Sequence, residues 1–390
     1  MTDQADATFR KIIDQTVEPR ITDYHTYLAN AAADPLPVAR AELLYLWDEY
    51  RTEYLDWASL NNPVGHFHPI VVQKVDEHRR YYNHTSSSGD HAQRWPVQYA
   101  KDLSAQFTGK GEVPRQVLFT EGEREAVLQA IKIASPSASP VVATIGGGYD
   151  WIPGRRIWYP ADFFPEEVSW DVIDALLISP ADRNAVVMSP ALFHRWIKTA
   201  RKHDVTVIVD ETVSGFGRLG TMWGQQGFNS VVDITVLGGA VGGGYPLGAV
   251  IAPPELFQRR RLDVSSQAAN PIACCAGAGT LTAVGIGTLE YMAETDKVLT
   301  DGLEQLCKQF PGHLGGHCGV GHLRGLWMSG HERSSFTANC LVDAARGQGL
   351  YLAPPAGNTV VLAPVLITSA NELSRGLDIL ASVLMDWDDE

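Results

Sequence analysis

Through the middle of this chain, short apolar runs alternate with longer amphipathic stretches, and that rhythm restricts the fold more than any other feature. In order they are RQVLFT (115–120), a helical pattern near 123–134, PVVATI (140–145), NAVVM (184–188), a helical pattern near 191–203, VTVIVD (205–210), DITVL (233–237) and GAVIA (248–252). Apolar runs separated by helices are what a mainly parallel sheet requires, because both of its faces must be covered. The expected class is therefore α/β. With 390 residues, 45% of them hydrophobic, the chain exceeds the size at which one core usually divides. Beyond Asn270-Pro271 a small-residue helix, IACCAGAGTLTAV, leads into a long helical pattern, TLEYMAETDKVLTDGLEQLCKQF. LRGLWMSG, GLYLAP and TVVLAP then read as strands, and 370–387 reads as a closing helix. The expected division is a large α/β domain over 101–285, a small α+β domain over 286–390, and an N-terminal segment, 1–100, packed beside the small domain.

Charge excludes some partners. The formal net charge is -14, from 31 basic and 45 acidic side chains, and such a surface repels nucleic-acid backbones and anionic membranes. The opening MTDQADATFRKIIDQTVEPR has neither the apolar core of a signal peptide nor an Arg-rich transit pattern. No stretch is expected to supply the roughly 18 apolar residues of a membrane helix, so a cytoplasmic protein is expected. The five cysteines, Cys274, Cys275, Cys307, Cys318 and Cys340, are odd in number and lack CxxC spacing. They read as buried small apolar residues rather than a disulfide framework or zinc ribbon.

Two constellations carry chemistry. In VTVIVDETVSGFGRLG an apolar strand ends on Asp210-Glu211, and ligands of open α/β sheets bind beyond the carboxyl ends of strands. Alone, an acid there reads first as a helix-capping or salt-bridged Asp. In VLFTEGEREAVLQAIKIA a glycine turn at Gly122 precedes a helix whose first turn holds Glu123 and Glu125. A helix start after glycine suits an anion, and a carboxylate of the protein itself also suits it. His66 and His68 of GHFHP have no acidic or cysteine partner at ligand spacing and read as structural, so no metal is expected. GGGYDW (146–151) lacks the GxGxxG order, and there is no GxSxG elbow.

Taken in order, YLWDEYRTEYLDWAS, GHFHP, FTEGEREAVLQAIK, VIVDETVSGFGRLG, DITVLGGAVGGGYPLGAV, ANPIACCAGAG and GLYLAPPAGNTVVLAPVL resemble the class III (ornithine/4-aminobutyrate/glutamate-semialdehyde type) aminotransferases of pyridoxal-phosphate fold type I. The resemblance runs from about residue 40 to the C-terminus. It implies a fold of large and small domains, a two-fold homodimer, and a lysine whose amine joins the cofactor while the cofactor ring acts as electron sink. That lysine position is Gly239, and none of the chain's nine lysines falls in the block. Gly122-Glu123-Arg124 stands where the family has a serine-glycine-threonine phosphate cradle. A carboxylate within about 4 Å of a phosphate costs of the order of 4 kcal/mol at an effective dielectric near 20.

The resemblance further implies that Asp210 is the ring-nitrogen partner, that Tyr149 is the stacking aromatic, and that Ser266 keeps a hydroxyl reaching the partner subunit's phosphate. Asp150 and Trp151 replace a histidine and a glycine, Thr212 replaces a valine packed on the ring, Ser189 replaces the glutamate of an EP turn, and Val361 replaces a carboxylate-gripping arginine. The vestigial cofactor positions are thus Gly122, Arg124, Tyr149, Asp210, Thr212, Gly239 and Ser266. Glu123 is expected to accept backbone N–H groups at its helix start, with Arg124 pairing to it or to an acidic substrate.

Three functions follow. The first is an enzyme repurposed for lysine-free chemistry on a small metabolite, a cyclisation, condensation, hydrolysis or dehydration without covalent cofactor, using Asp210, Glu211, Tyr149, Asp150 or Glu123 as acid or base. The second holds pyridoxal or pyridoxamine phosphate non-covalently. The third is a catalytically dead partner of an active aminotransferase.

Overall fold

A computed structural model describes residues 35–84, 93–146, 148–228, 232–259, 262–329 and 337–388. The opening stretch from which the localisation was read lies outside them. The central sheet has seven strands: β4 (Gln116–Thr120), β5 (Val141–Ile145), β6 (Arg155–Tyr159), β7 (Ala175–Ile178), β8 (Thr206–Asp210), β9 (Ile234–Leu237) and β10 (Gly248–Ala252), following a sheet of β1 (Val38–Glu42), β2 (Tyr45–Asp48), β3 (Glu53–Asp56) and a later strand. The spatial order is β4-β10-β9-β8-β7-β5-β6, and only β10 runs antiparallel to its neighbours. This is the expected α/β fold.

Period-two alternation decides which helix each strand residue meets. On one face Val142, Ala175, Leu177 and Ile208 pack with Val127, Ala130 and Ile131 of the helix Glu123–Ala134. On the other, Ala143, Leu176, Ile178, Val207 and Val209 pack with Phe193, Trp196 and Ile197 of the helix Pro190–Lys202. Burial on both faces is why these strands are apolar at most positions, with only Thr144 inside β5 and Thr235 inside β9 interrupting.

The helices are α1 (Pro69–His78), α2 (Arg94–Phe107), α3 (Glu123–Ala134), α4 (Pro190–Lys202), α5 (Pro254–Phe257), α6 (Pro271–Ala283), α7 (Leu289–Gln309), α8 (Ala338–Gly347) and α9 (Ala370–Asp388). The strands β11 (Leu314–Val320), β12 (Leu323–Met328) and β14 (Thr359–Leu362) form a second antiparallel sheet, while β13 (Leu350–Tyr351) pairs in parallel with β3. Leu44, Leu55 and Trp57 share a core with Leu299, Leu341 and Leu380.

Three expectations are corrected. NAVVM is not a strand: it is a turn around Ala185 (φ 61°) with a single bridge from Val187 to Ala181. The sheet strand is instead the preceding ALLI, β7. The run Pro271–Gln309 does contain a window apolar and long enough to cross a membrane, with mean hydropathy 1.6. It is a core element here, since Ala273, Cys274, Cys275 and Ala276 are buried, and the run breaks at Ile286 (ψ 78°) and Gly287 (φ 71°). Its small residues serve packing within the chain: a Cβ on Gly277 would strike Val241 O and Tyr99, and one on Gly279 would strike Val71. Cys274 and Cys275 are buried as expected, but Cys307, Cys318 and Cys340 are partly exposed.

Candidate active site

The carboxyl ends of β4, β5, β7, β8 and β9 bring together segments distant in sequence. Asp210 ends β8 and is buried. Its Oδ1 accepts from the Thr212 amide (2.8 Å) and its Oδ2 from the Tyr149 hydroxyl (2.9 Å). Burial raises the Asp210 pKa, opposed by those hydrogen bonds and by the Arg183 charge. Burial, reinforced by the Asp210 charge, pushes the Tyr149 hydroxyl well above its usual value. The pair therefore shares one proton-bearing contact in a poorly solvated place.

Glu211 is adjacent in sequence but faces the other way, because its amide still pairs with Val236 O (2.9 Å) as an extension of the strand, and alternate residues of a strand face opposite sides. Its carboxylate accepts from the Ser214 hydroxyl (2.5 Å) and the amides of Gly224 (2.9 Å) and Gln225 (2.7 Å). Burial pushes its pKa to about 7. Glu211 thus ties down the 212–225 loop and does not share the Asp210 side, contrary to the sequence expectation.

At the start of α3 the expected contacts are replaced by others. The Glu123 carboxylate pairs with Arg183 Nη2 instead of with backbone amides of its own helix. Arg124 is exposed and stacks over Trp151 (5.2 Å) instead of joining Glu123. Gly122 precedes the helix without a side-chain cap, and Glu125 accepts from the Glu121 amide (2.8 Å). Asp150 is exposed, and Ser266 is exposed with its carbonyl accepting from His84 Nε2 (2.9 Å).

Gly239 begins a tight turn, Gly239–Gly242, directly after β9, in the left-handed region (φ 53°). A Cβ there would overlap Asn61 Oδ1 and lie 3.5 Å from Thr212 O. At Gly238 a Cβ would overlap Glu123 Cβ and sit 2.9 Å from Thr212 Cγ2. Contacts therefore run in sequence from Asn61 to Gly239, Gly238, Glu123 and Arg183, and from Thr212 to Asp210 and Tyr149. Arg183 also passes Gly148, its Cδ lying 3.7 Å from where a Cβ would be.

Arg183 and Asn61 were missed by sequence reasoning. Arg183 follows β7 within a few residues, so the strand-end rule would have found it had ALLI been read as the strand. No local signal marks Asn61, which reaches the site from a bend before α1. The Ser-Pro pair at a strand end is Ser179-Pro180, where Ser179 Oγ donates to Asp210 O (2.8 Å). Ser189 instead caps α4 by accepting from the Leu192 amide (3.3 Å), which displaces the expected EP-turn correspondence. Val361 packs in an apolar cluster with Val213 and Leu323.

The model for aminotransferase class III matches residues 167–384. The chain belongs to this family. Acetylornithine aminotransferase of Synechocystis is 25% identical over 94% of each chain. That of Streptomyces coelicolor is 28% identical over 92% of this chain and 93% of its own. The crystal structure of acetylornithine aminotransferase from Elizabethkingia anophelis superposes with a TM-score of 0.83 at 22% identity, over 94% of this chain and 98% of that one. Members of the class III family bind pyridoxal phosphate. In this member Asp210 is buried at the end of β8 and Gly239, in the turn after β9, bears no side chain. A carboxylate, moreover, opens α3.

Proposed function

We propose that this class III family member binds a small metabolite in the inherited cleft and works on it without covalent pyridoxal phosphate. The reaction class is lysine-free: cyclisation, condensation, hydrolysis or dehydration. What carries the reading is Gly239, a residue with no side chain beside Thr212 and near Asp210. Asp210 and Tyr149 are the proposed proton-handling pair, since they share a hydrogen bond in a buried place and burial raises the Asp210 pKa, so that its carboxyl keeps a proton more readily than a solvated one. Thr212 positions Asp210 through its amide. Glu123 and Arg183 form the rim, Asp150 and Arg124 contribute from the solvent side, and Gly122 and Ser266 are vestigial.

A second reading, pyridoxal or pyridoxamine phosphate held without a covalent bond, draws on one observation, the buried Asp210 carboxylate. A two-fold homodimer belongs to the proposal, as closed two-fold pairs are the commonest soluble assemblies. One preparation tests all of this: visible spectra with and without pyridoxal phosphate, borohydride reduction, mass spectrometry and light scattering. The expected outcome is no stoichiometric pyridoxyl adduct and a mass of twice the chain. A single-site adduct on one lysine would sink the lysine-free reading, tight reversible binding would favour the second, and a monomer would remove the dimer.

A further inference from the structure

The floor of the cleft is closed by the protein's own phenol. Tyr149 donates its hydroxyl to Asp210 Oδ2 (2.9 Å), the Thr212 amide donates to Oδ1 (2.8 Å), and the Ser179 hydroxyl donates to the Asp210 main-chain carbonyl (2.8 Å). Both members of the pair are anchored. Asp210 is 4% and Tyr149 7% exposed, and the tyrosine belongs to the apolar cluster of Val127, Ile131, Ile152 and Leu177 between α3 and the sheet. The backbone around it is fixed on either side: Gly146 N bonds Tyr159 O (3.0 Å) on the neighbouring strand, Trp151 Nε1 bonds Gly148 O (2.8 Å), and Ile152 N bonds Tyr149 O (3.1 Å).

The family resemblance casts these residues in separate roles, Tyr149 stacked on a ring and Asp210 bound to that ring's nitrogen. Here they are joined to each other. The acceptor for a ring N–H is engaged by the side chain that would have to lie on the ring's face, and the buried Asp210 has no open side for a second donor. We infer that Tyr149 is the specificity-determining residue of the cleft floor: by holding the Asp210 carboxylate itself, it excludes flat nitrogen heterocycles, whose ring N–H needs that oxygen, and restricts the cleft to aliphatic ligands. With its hydrogen committed to Asp210, the phenol has its oxygen left to accept, so the fitting ligand is one that offers a hydroxyl or amine hydrogen. The assignment rests on the lysine-free reading, but the two fail differently.

The test compares two probes by equilibrium dialysis: pyridoxine, which has the ring nitrogen but neither aldehyde nor phosphate, and its benzene analogue with CH in place of that nitrogen. Wild type should bind the two alike, because Asp210 is already engaged. Tyr149→Phe keeps an aromatic ring in the core and frees the carboxylate. Pyridoxine should then bind roughly tenfold tighter than it does to wild type, the ratio that one hydrogen bond to a charged acceptor gives, while the benzene analogue gains nothing. A wild type that prefers pyridoxine to that degree, or a Tyr149→Phe protein that binds it no tighter than wild type does, overturns the inference. The first of these results needs no variant, so it decides the matter even where the substituted protein fails to fold. A single-site pyridoxyl adduct, formed on the unmodified protein by pyridoxal phosphate and borohydride, refutes the lysine-free reading instead and leaves the pyridoxine comparison to judge Tyr149.

Discussion

The floor and the rim of the cleft obey different rules. On the floor, Asp210 is 4% exposed and each carboxylate oxygen has its own donor. On the rim, Glu123 and Arg183 have side chains 29% and 48% exposed and share one ion pair, and Arg124 stacks on Trp151 at the surface. An unpaired buried donor costs the whole of its desolvation, whereas an exposed pair exchanges for water at almost no cost. The floor is therefore hard to change one residue at a time, and the rim is easy.

That contrast can be broken first on the floor. Asp210→Ala strips the acceptor from the Thr212 amide and the Tyr149 hydroxyl. At about 1–3 kcal/mol for each orphaned donor the loss should reach about 2–6 kcal/mol in urea unfolding. If Asp210→Ala costs no more than Glu123→Ala, the distinction is wrong.

The back of the same strand end gives the next effect. Glu211 has a folded-state pKa of about 7 against an ordinary 4.5, so the folded protein binds its proton more tightly than the unfolded chain does. Its contribution is fully present below pH 4.5 and is lost as pH rises through about 7, a fall of about 3 kcal/mol at most. Asp210, also raised, acts with the same sign. His322, lowered to about 3 by burial, acts with the opposite sign below pH 6.5, so the Glu211 contribution is read as the difference between wild type and Glu211→Gln. From pH 4.5 to 8 the unfolding free energy of wild type should fall relative to that of Glu211→Gln, and a difference that does not change with pH contradicts the assignment.

The rim gives the smallest effect. A double-mutant cycle of Glu123→Ala and Arg183→Ala should couple by less than about 1 kcal/mol. Coupling above about 2 kcal/mol would mean that the rim behaves as the buried floor does.

Sequence patterning located β4, β5, β8, β9 and β10 because each is an apolar run bounded by turn residues. It mistook NAVVM for ALLI because two short apolar runs lie a few residues apart, and only the sheet shows which is paired. It read Glu211 with Asp210 because adjacency in sequence looks like adjacency in space, which strand geometry reverses. Arg124 looked like the partner of Glu123 for the same reason.

By itself, then, the sequence determined the α/β class, the strand-end position of Asp210 and the absence of an amine at Gly239, because each is a property of a local run or a single residue. Tertiary structure alone decided that Arg183 pairs with Glu123, that Tyr149 bonds Asp210, and that Asn61 covers Gly239. Those pairs are separated by 60, 61 and 178 positions. They meet only because parallel strands bring their carboxyl ends to one edge and a bend whose Ser59 carbonyl accepts from Arg218 reaches across it, an arrangement set by burial of the whole core rather than by any segment of the chain.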